Sequence, residues 1–348
     1  MTVYRRRHRR VLLGAVLSLC LAAAGLAAFG QLLNGKDRAL DHDRRDGTPN
    51  EDRAYLSVVG WPLQGQAAFV LGNGAPAASP NEQPAPIASL AKVMTAYLTL
   101  ERYPLSGAQE GFTITVTPSQ AQAETRDAAQ DESDVAVQVG EQLTERQLLE
   151  ALLIPSGNNI AQMLAAQVAG SETRFIEEMN AEARALGMDQ TIYTDPSGFD
   201  PSTVSTAADQ LRVFRRAMRF PVFRQIVSMA GVTLPVAGTL TNYDPLIAEG
   251  YAGKTGSDAA AGGCLAFFTH LTVSGRRLTA IGVVMGQGRG SETSMLLAAA
   301  GQAAQQLVQA VAPATSVRTI RAPGGSGAPG TRGGRLPPRA HGRVPAQP

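Results

Sequence analysis

Lysine is nearly absent from this chain. Of 31 basic residues in 348, only Lys36, Lys92 and Lys254 are lysines, and every other one is arginine. A guanidinium does not give up its proton at working pH, so an amine that accepts a proton can come only from those three positions. Cysteine is as scarce. Cys20 falls within a long apolar run and Cys264 stands alone in the remainder, which excludes an intramolecular disulfide in the body of the protein. Cys264 reads as a small buried hydrophobe. Histidine offers no metal centre either, since His42 in "DHD" has no second cluster at ligand spacing. No metal is expected.

Acidic residues outnumber basic ones in the middle and are missing from the far end. Residues 1–49 carry nine basic and four acidic groups, residues 50–312 carry 16 and 25, and residues 313–348 carry six and none. The body is therefore acidic. Phosphate binding needs a basic face on the folded domain, so no nucleic-acid partner is expected.

What is present sorts into five segments. Residues 1–10 contain "RRRHRR", and residues 11–33 are an uncharged apolar run long enough to span a bilayer. Arginines on its N-terminal side keep that end in the cytoplasm, so the run reads as an export signal or membrane anchor with the rest of the chain outside. Residues 34–50 are a polar linker, and residues 313–348 are Pro, Gly and Arg with little to bury, which reads as a disordered tail. Between them, residues 51–312 hold one folded body.

Within that body the patterns give strands at 54–59, 67–71, 112–117 and 135–139, then a helical middle. "TERQLLEALLI" opens with a capping box, Thr144 with Gln147, and stops at Pro155. "SGNN" opens the next helix, with Ile160, Met163, Leu164 and Val168 on one face, and further helices are expected at 172–186 and 207–218. Two apolar runs about the turn "SGRR" then predict an antiparallel pair, followed by a closing helix at 291–311. Strands, then helices, then strands suggest a sheet covered by helices with a helical insertion.

Three short motifs fall on this framework: "SLAK" at Ser89–Lys92, "SGN" at Ser156–Asn158 and "KTG" at Lys254–Gly256. Each alone is common. Taken alone, "SLAK" is more simply the capped first turn of a helix. Its setting argues otherwise, because the motifs open a helix, occupy a turn between helices and lie on a strand. Residues three apart on a helix share a face, so the Lys92 amine can reach the Ser89 hydroxyl. Two of the chain's three lysines sit in these motifs, where an amine rather than any cation is needed. Lys92 is the expected base, with Lys254 nearby to discourage its proton. Ser156 would relay a proton, and it also stands where it can cap the following helix. Asn158 would bind a substrate amide, and Lys254 with Thr255 a substrate carboxylate. Gly256 would let the substrate backbone approach the strand. The backbone N–H groups of Ser89 and Ser257 would form the oxyanion hole.

The longer blocks "PIASLAKVMTA", "VGEQLTERQLLEALLIPSGNNIAQMLAAQVAGS", "DPSGFD" and "YAGKTGSDAAAGGCLAF" resemble those of the serine D-alanyl-D-alanine carboxypeptidases, the low-molecular-mass penicillin-binding proteins of peptidase family S11. The resemblance covers roughly residues 52–311. It implies an α+β, β-lactamase/transpeptidase-like fold, an antiparallel sheet flanked by helices with an all-helical lobe. It further implies removal of the terminal D-alanine from peptidoglycan stem peptides outside the membrane, inhibition by β-lactam antibiotics, and no cofactor. Ala91 stands where the family commonly has threonine, and Arg289 is offset from the family's carboxylate-binding arginine and is left out of the site. A D,D-endopeptidase or transpeptidase on the same fold is the alternative. Further alternatives are a class A-like β-lactamase, which needs a carboxylate such as Asp195 or Asp200 poised to activate water, and an inactive envelope-binding protein.

Overall fold

The computed structural model describes residues 60–122, 133–273 and 275–311. The apolar run 11–33, the strand expected at 54–59 and the tail 313–348 lie outside the described residues. Within them the chain runs β1 (Gln66–Leu71), β2 (Ala77–Ala78), β3 (Ala85–Pro86), a 3-10 turn (Ala88–Leu90), α1 (Ala91–Arg102), β4 (Thr113–Thr115) and β5 (Gln142–Thr144). The helical middle follows as α2 (Glu145–Leu153), α3 (Asn158–Ala169) and α4 (Glu172–Ala185), then β6 (Val204–Ser205), α5 (Ala207–Ala217) and α6 (Pro221–Val227). The hairpin β7 (Gly231–Leu234) and β8 (Gly238–Thr241) leads through a second 3-10 turn (Ile247–Glu249) to β9 (Ala252–Asp258), β10 (Gly262–Val273), β11 (Arg276–Gln287) and α7 (Thr293–Val311).

One five-stranded antiparallel sheet, in the order β2-β1-β11-β10-β9, carries the architecture. Successive side chains of a strand point to opposite faces, and here both faces are covered. In β1, Ala68 and Val70 join the large core shared with α1 and the helical middle, whereas Ala67, Phe69 and Leu71 join a second core under α7. Burial on both sides explains why "QAAFVL" reads as a continuous apolar run with no polar alternation. β9 is an edge strand, and beyond it lie the Ser89 turn and the helical lobe.

The capping box of α2 is present as expected, with Thr144 Oγ1 accepting from Gln147 N and Gln147 Oε1 from Thr144 N. Two expectations fail. Residues 135–139 are not a strand: Val135 and Val137 are buried, but the Val135 N–H and C=O are taken by the Asn159 carboxamide instead of a neighbouring strand. Ser156 caps nothing, because the turn places Gly157 at the cap position of α3, with no side-chain cap. The simpler reading of "SLAK" as a capped helix start is also absent: Ser89 makes no capping bond to α1, which starts after Leu90. The β7–β8 hairpin and α6 carry no strong sequence signal and emerge only in the structure.

Candidate active site

Ser89 sits half-buried in the 3-10 turn that feeds α1. The residue before it, Ala88, has φ +46°, and Ser156 has φ +69°; among the described residues these are the only non-glycines at positive φ. Such a conformation costs on the order of 1–2 kcal/mol per residue and persists only where surroundings enforce it. Both strained residues lie beside the chemistry. At Ser156 the enforcement comes from backbone bonds on its C-terminal side, Gly157 N to Ala151 O at 3.0 Å and Asn158 N to Ser133 O at 2.8 Å.

Lys92 is completely buried, one turn along the same face. Its Nζ donates to Ser89 Oγ at 2.7 Å, Asn158 Oδ1 at 2.6 Å and the Ser197 carbonyl at 3.1 Å. An ammonium has three hydrogens, and these are three acceptors. Once that amine is neutral, its lone pair can face the Ser89 hydroxyl and accept its proton. Lys254, equally buried on β9, donates to Ser156 Oγ at 2.9 Å and to the Thr255 carbonyl at 2.7 Å. Burial pushes the Lys254 amine well below its usual range; the charge of Lys92 pushes the same way, and Asp244 opposes both. The three motifs, separated by 67 and 98 positions in sequence, are thus linked pairwise, Lys92 to Ser89 and Asn158, and Lys254 to Ser156.

β9 lies directly against the Ser89 turn. A Cβ at Gly256 would stand 3.1 Å from both Ile87 O and Ser89 N, so only a glycine leaves that face of the Ser89 amide open. Thr255 is buried and Ser257 is partly exposed at the same strand edge.

A loop that the motif reading left unused completes the site. Asp195 Oδ2 accepts from Ser197 Oγ at 2.6 Å, Gly198 N at 2.7 Å, Phe199 N at 3.0 Å and Ser197 N at 3.1 Å, while Oδ1 accepts from Thr203 Oγ1 at 2.6 Å. This folds 195–203 so that the Ser197 carbonyl reaches Lys92, while Thr95 Oγ1 of α1 donates to Pro196 O at 2.6 Å. Asp195 is a brace, not a carboxylate poised over water, and Asp200 is spent on the Ser202 amide at 2.8 Å. The only sequence signal for this loop was its Asp-Pro-Ser-Gly turn. Arg289 is exposed and lines a cleft of about 470 Å³ with Gln64, Gln66, Asn81 and Gln83; no contact ties it to Ser89. Among the described residues no group of His, Cys, Asp and Glu could hold a metal ion.

A sequence profile of peptidase S11, described as D-alanyl-D-alanine carboxypeptidase, matches residues 77–288. The chain belongs to this family. S11 relatives include the D-alanyl-D-alanine carboxypeptidase DacB2 of Mycobacterium tuberculosis, 35% identical over 51% of this chain and 59% of that one. The D-alanyl-D-alanine endopeptidases of Pseudomonas aeruginosa and Escherichia coli are 35% and 30% identical, over 40% and 53% of this chain and 42% and 59% of theirs. The chain thus spans less than two thirds of the length of each of these relatives. The same S11 architecture is seen in the Streptomyces K15 DD-transpeptidase, with TM-score 0.61 and 24% identity over 73% of this chain and 99% of that one. A penicillin-binding protein homologue from M. tuberculosis gives TM-score 0.58 and 29% identity over 75% and 97%. The α+β fold with its helical lobe is that of these penicillin-binding enzymes. Among the described residues no helix is long and apolar enough to cross a membrane.

Proposed function

We propose that the protein is a serine D-Ala-D-Ala carboxypeptidase acting on peptidoglycan stem peptides. The observation that carries this reading is the Lys92 amine bonded at once to Ser89 Oγ and Asn158 Oδ1, with Lys254 on Ser156 across the same cleft. Ser89 attacks the carbonyl of the penultimate D-alanine and Lys92 takes its proton. Ser156, linked to Lys254, passes a proton to the departing D-alanine nitrogen, and water then releases the acyl-enzyme. The developing oxyanion is held by the N–H groups of Ser89 and Ser257, with Gly256 leaving room beside them. Asn158 binds a substrate amide, and Thr255 with Lys254 attracts the terminal carboxylate. An extended peptide can add alongside β9, the open edge of the sheet.

In this reading residues 51–312 are the catalytic unit, residues 11–33 export or anchor it, and penicillins acylate the same serine. Fluorescent penicillin tests the nucleophile: wild type is labelled, and an adduct that survives in Ser89→Ala sinks the assignment. Release of free D-alanine from a pentapeptide ending in D-Ala-D-Ala tests the reaction. Relatives named endopeptidase and transpeptidase favour a second reading, cleavage or exchange at a crosslink; exchange of the last residue without net D-alanine release would support it.

A further inference from the structure

Away from Ser89, the far end of α1 and the first turn of α2 border a second cleft, about 500 Å³ in volume. The twelve residues of α1 hold it about 18 Å from the Ser89 turn, so the proposed reaction makes no use of it. Tyr103 and Phe112 line it as an edge-to-face pair with ring centroids 5.0 Å apart, and Pro104 and Leu105 lie beside them. Glu145 lines it too, although that residue is only 1% exposed. Its carboxyl packs against Gly111, where a Cβ would stand 2.9 Å from the carboxyl carbon and nearer still to Oε2. Oε1 has no hydrogen-bond partner.

That oxygen needs a reason, because glutamine would fill the same space without the cost of burying a carboxylate. The helix start offers nothing to an anion. The first N–H groups of α2 are already taken, Glu145 N by Phe112 O at 2.7 Å, Arg146 N by Glu110 O at 3.1 Å and Gln147 N by Thr144 Oγ1 at 3.2 Å. The neighbouring cations have acids of their own. Arg146 donates to the Gly107 and Gln109 carbonyls, lies 3.9 Å from Glu110 and is also drawn to Glu150 further along α2, while Arg102 at the rim lies 3.9 Å from Glu178 of α4. Glu145 is the acid left over. A cleft with one unmatched carboxylate beside two aromatic rings suits a ligand that is cationic at one end and apolar along its stem.

We propose that this cleft is a binding site for an organic ammonium group, with the cation on the Glu145 carboxylate and the apolar stem against Tyr103 and Phe112. The inference goes beyond the carboxypeptidase reading and does not depend on it.

In the empty cleft burial pushes the Glu145 carboxyl up to about 7, against the Phe112 amide and Arg146. A bound cation favours the ionised form, so binding should tighten as pH rises through that value. The probe is n-butylammonium, which stays protonated throughout this range; its saturation-transfer NMR signals, titrated against the full chain, report weak binding. Its Kd should be about tenfold lower at pH 8 than at pH 6, following the ionised fraction of Glu145. In Glu145→Gln the Kd at pH 8 should rise about tenfold or more and lose its pH dependence. Equal Kd values at pH 6 and pH 8 in wild type, or a Glu145→Gln that binds like wild type, overturn the proposal. So does n-butyrate, with the same stem and the opposite charge, if it binds as tightly as n-butylammonium. Should Glu145→Gln fail to fold, Tyr103→Leu serves: it should bind about threefold or more weakly while keeping the pH dependence, and undiminished binding overturns the proposal equally.

Discussion

Replacing Gly198 by alanine asks whether the Asp195 loop holds Ser89 in place. Gly198 has φ +80°, and a Cβ there would stand 2.6 Å from the Ala88 carbonyl carbon, nearer still to its oxygen, and 3.0 Å from the Ala91 Cβ. The obstacle is backbone and cannot rotate away. Restoring ordinary contact means moving the Ala88 carbonyl, just before Ser89, by more than about 1 Å. Positive φ at alanine adds on the order of 1–3 kcal/mol and overpacking a similar amount, about 2–6 kcal/mol in all. Each kcal/mol lowers Tm by about 2–4 °C in a domain of this size. The catalytic loss should be larger in proportion, since a misplacement of about 1 Å costs roughly 100-fold in rate. Gly170→Ala is the matched control: its φ is +82° with nothing within 4 Å, so it carries the strain without the collision. Penicillin acylation rates and Tm are measured on both. Acylation by Gly198→Ala within threefold of the Gly170→Ala rate would refute the idea that this loop sets the position of Ser89.

The remaining predictions concern the base, the oxyanion and a buried acid. Lys92→Met should lower the acylation rate by about 100- to 10,000-fold while leaving the protein folded, and Lys92→Arg should not rescue it, because arginine keeps its proton; recovery in the arginine variant on a stopped-flow acylation assay would refute the role of base. Gly256→Ala places a methyl 3.1 Å from Ser89 N and should reduce acylation about 100-fold with little change in Tm, which paired kinetics and calorimetry will test. Glu145 opens α2 with a buried, unpartnered Oε1, and burial lifts its carboxyl from 4.5 to about 7 against the Phe112 amide and Arg146. The folded state thus binds this proton more tightly than the unfolded chain, and wild type loses stability as pH rises from 4.5 through 7. Glu145→Gln does not titrate, so its Tm advantage should be near zero at pH 4.5 and positive at pH 8. A difference that is flat with pH would contradict this.

Much of the helical lobe was legible because its signals are local. The Thr144–Gln147 capping box, the stop at Pro155 and the apolar spacing of α3 each act within a few residues, and they formed where the pattern placed them. The 135–139 segment misled for an instructive reason. Alternating burial was real, but a side chain 24 residues away, Asn159, claimed the Val135 backbone groups that a strand would have used. Local pattern reports which face is apolar, not who satisfies the backbone.

The site divides the same way. Sequence by itself singled out Ser89, Lys92, Ser156, Asn158 and Lys254 as candidates, because an amine cannot be replaced by a guanidinium and this chain spends lysine almost nowhere else. It could not show that Ser156 and Ala88 are held at positive φ or that Asp195 is a brace. Those facts depend on groups far apart in the chain being pressed together by two cores on either side of one sheet. Residue chemistry is written in the sequence. Strain and burial arise only when packing removes water and fixes the distances.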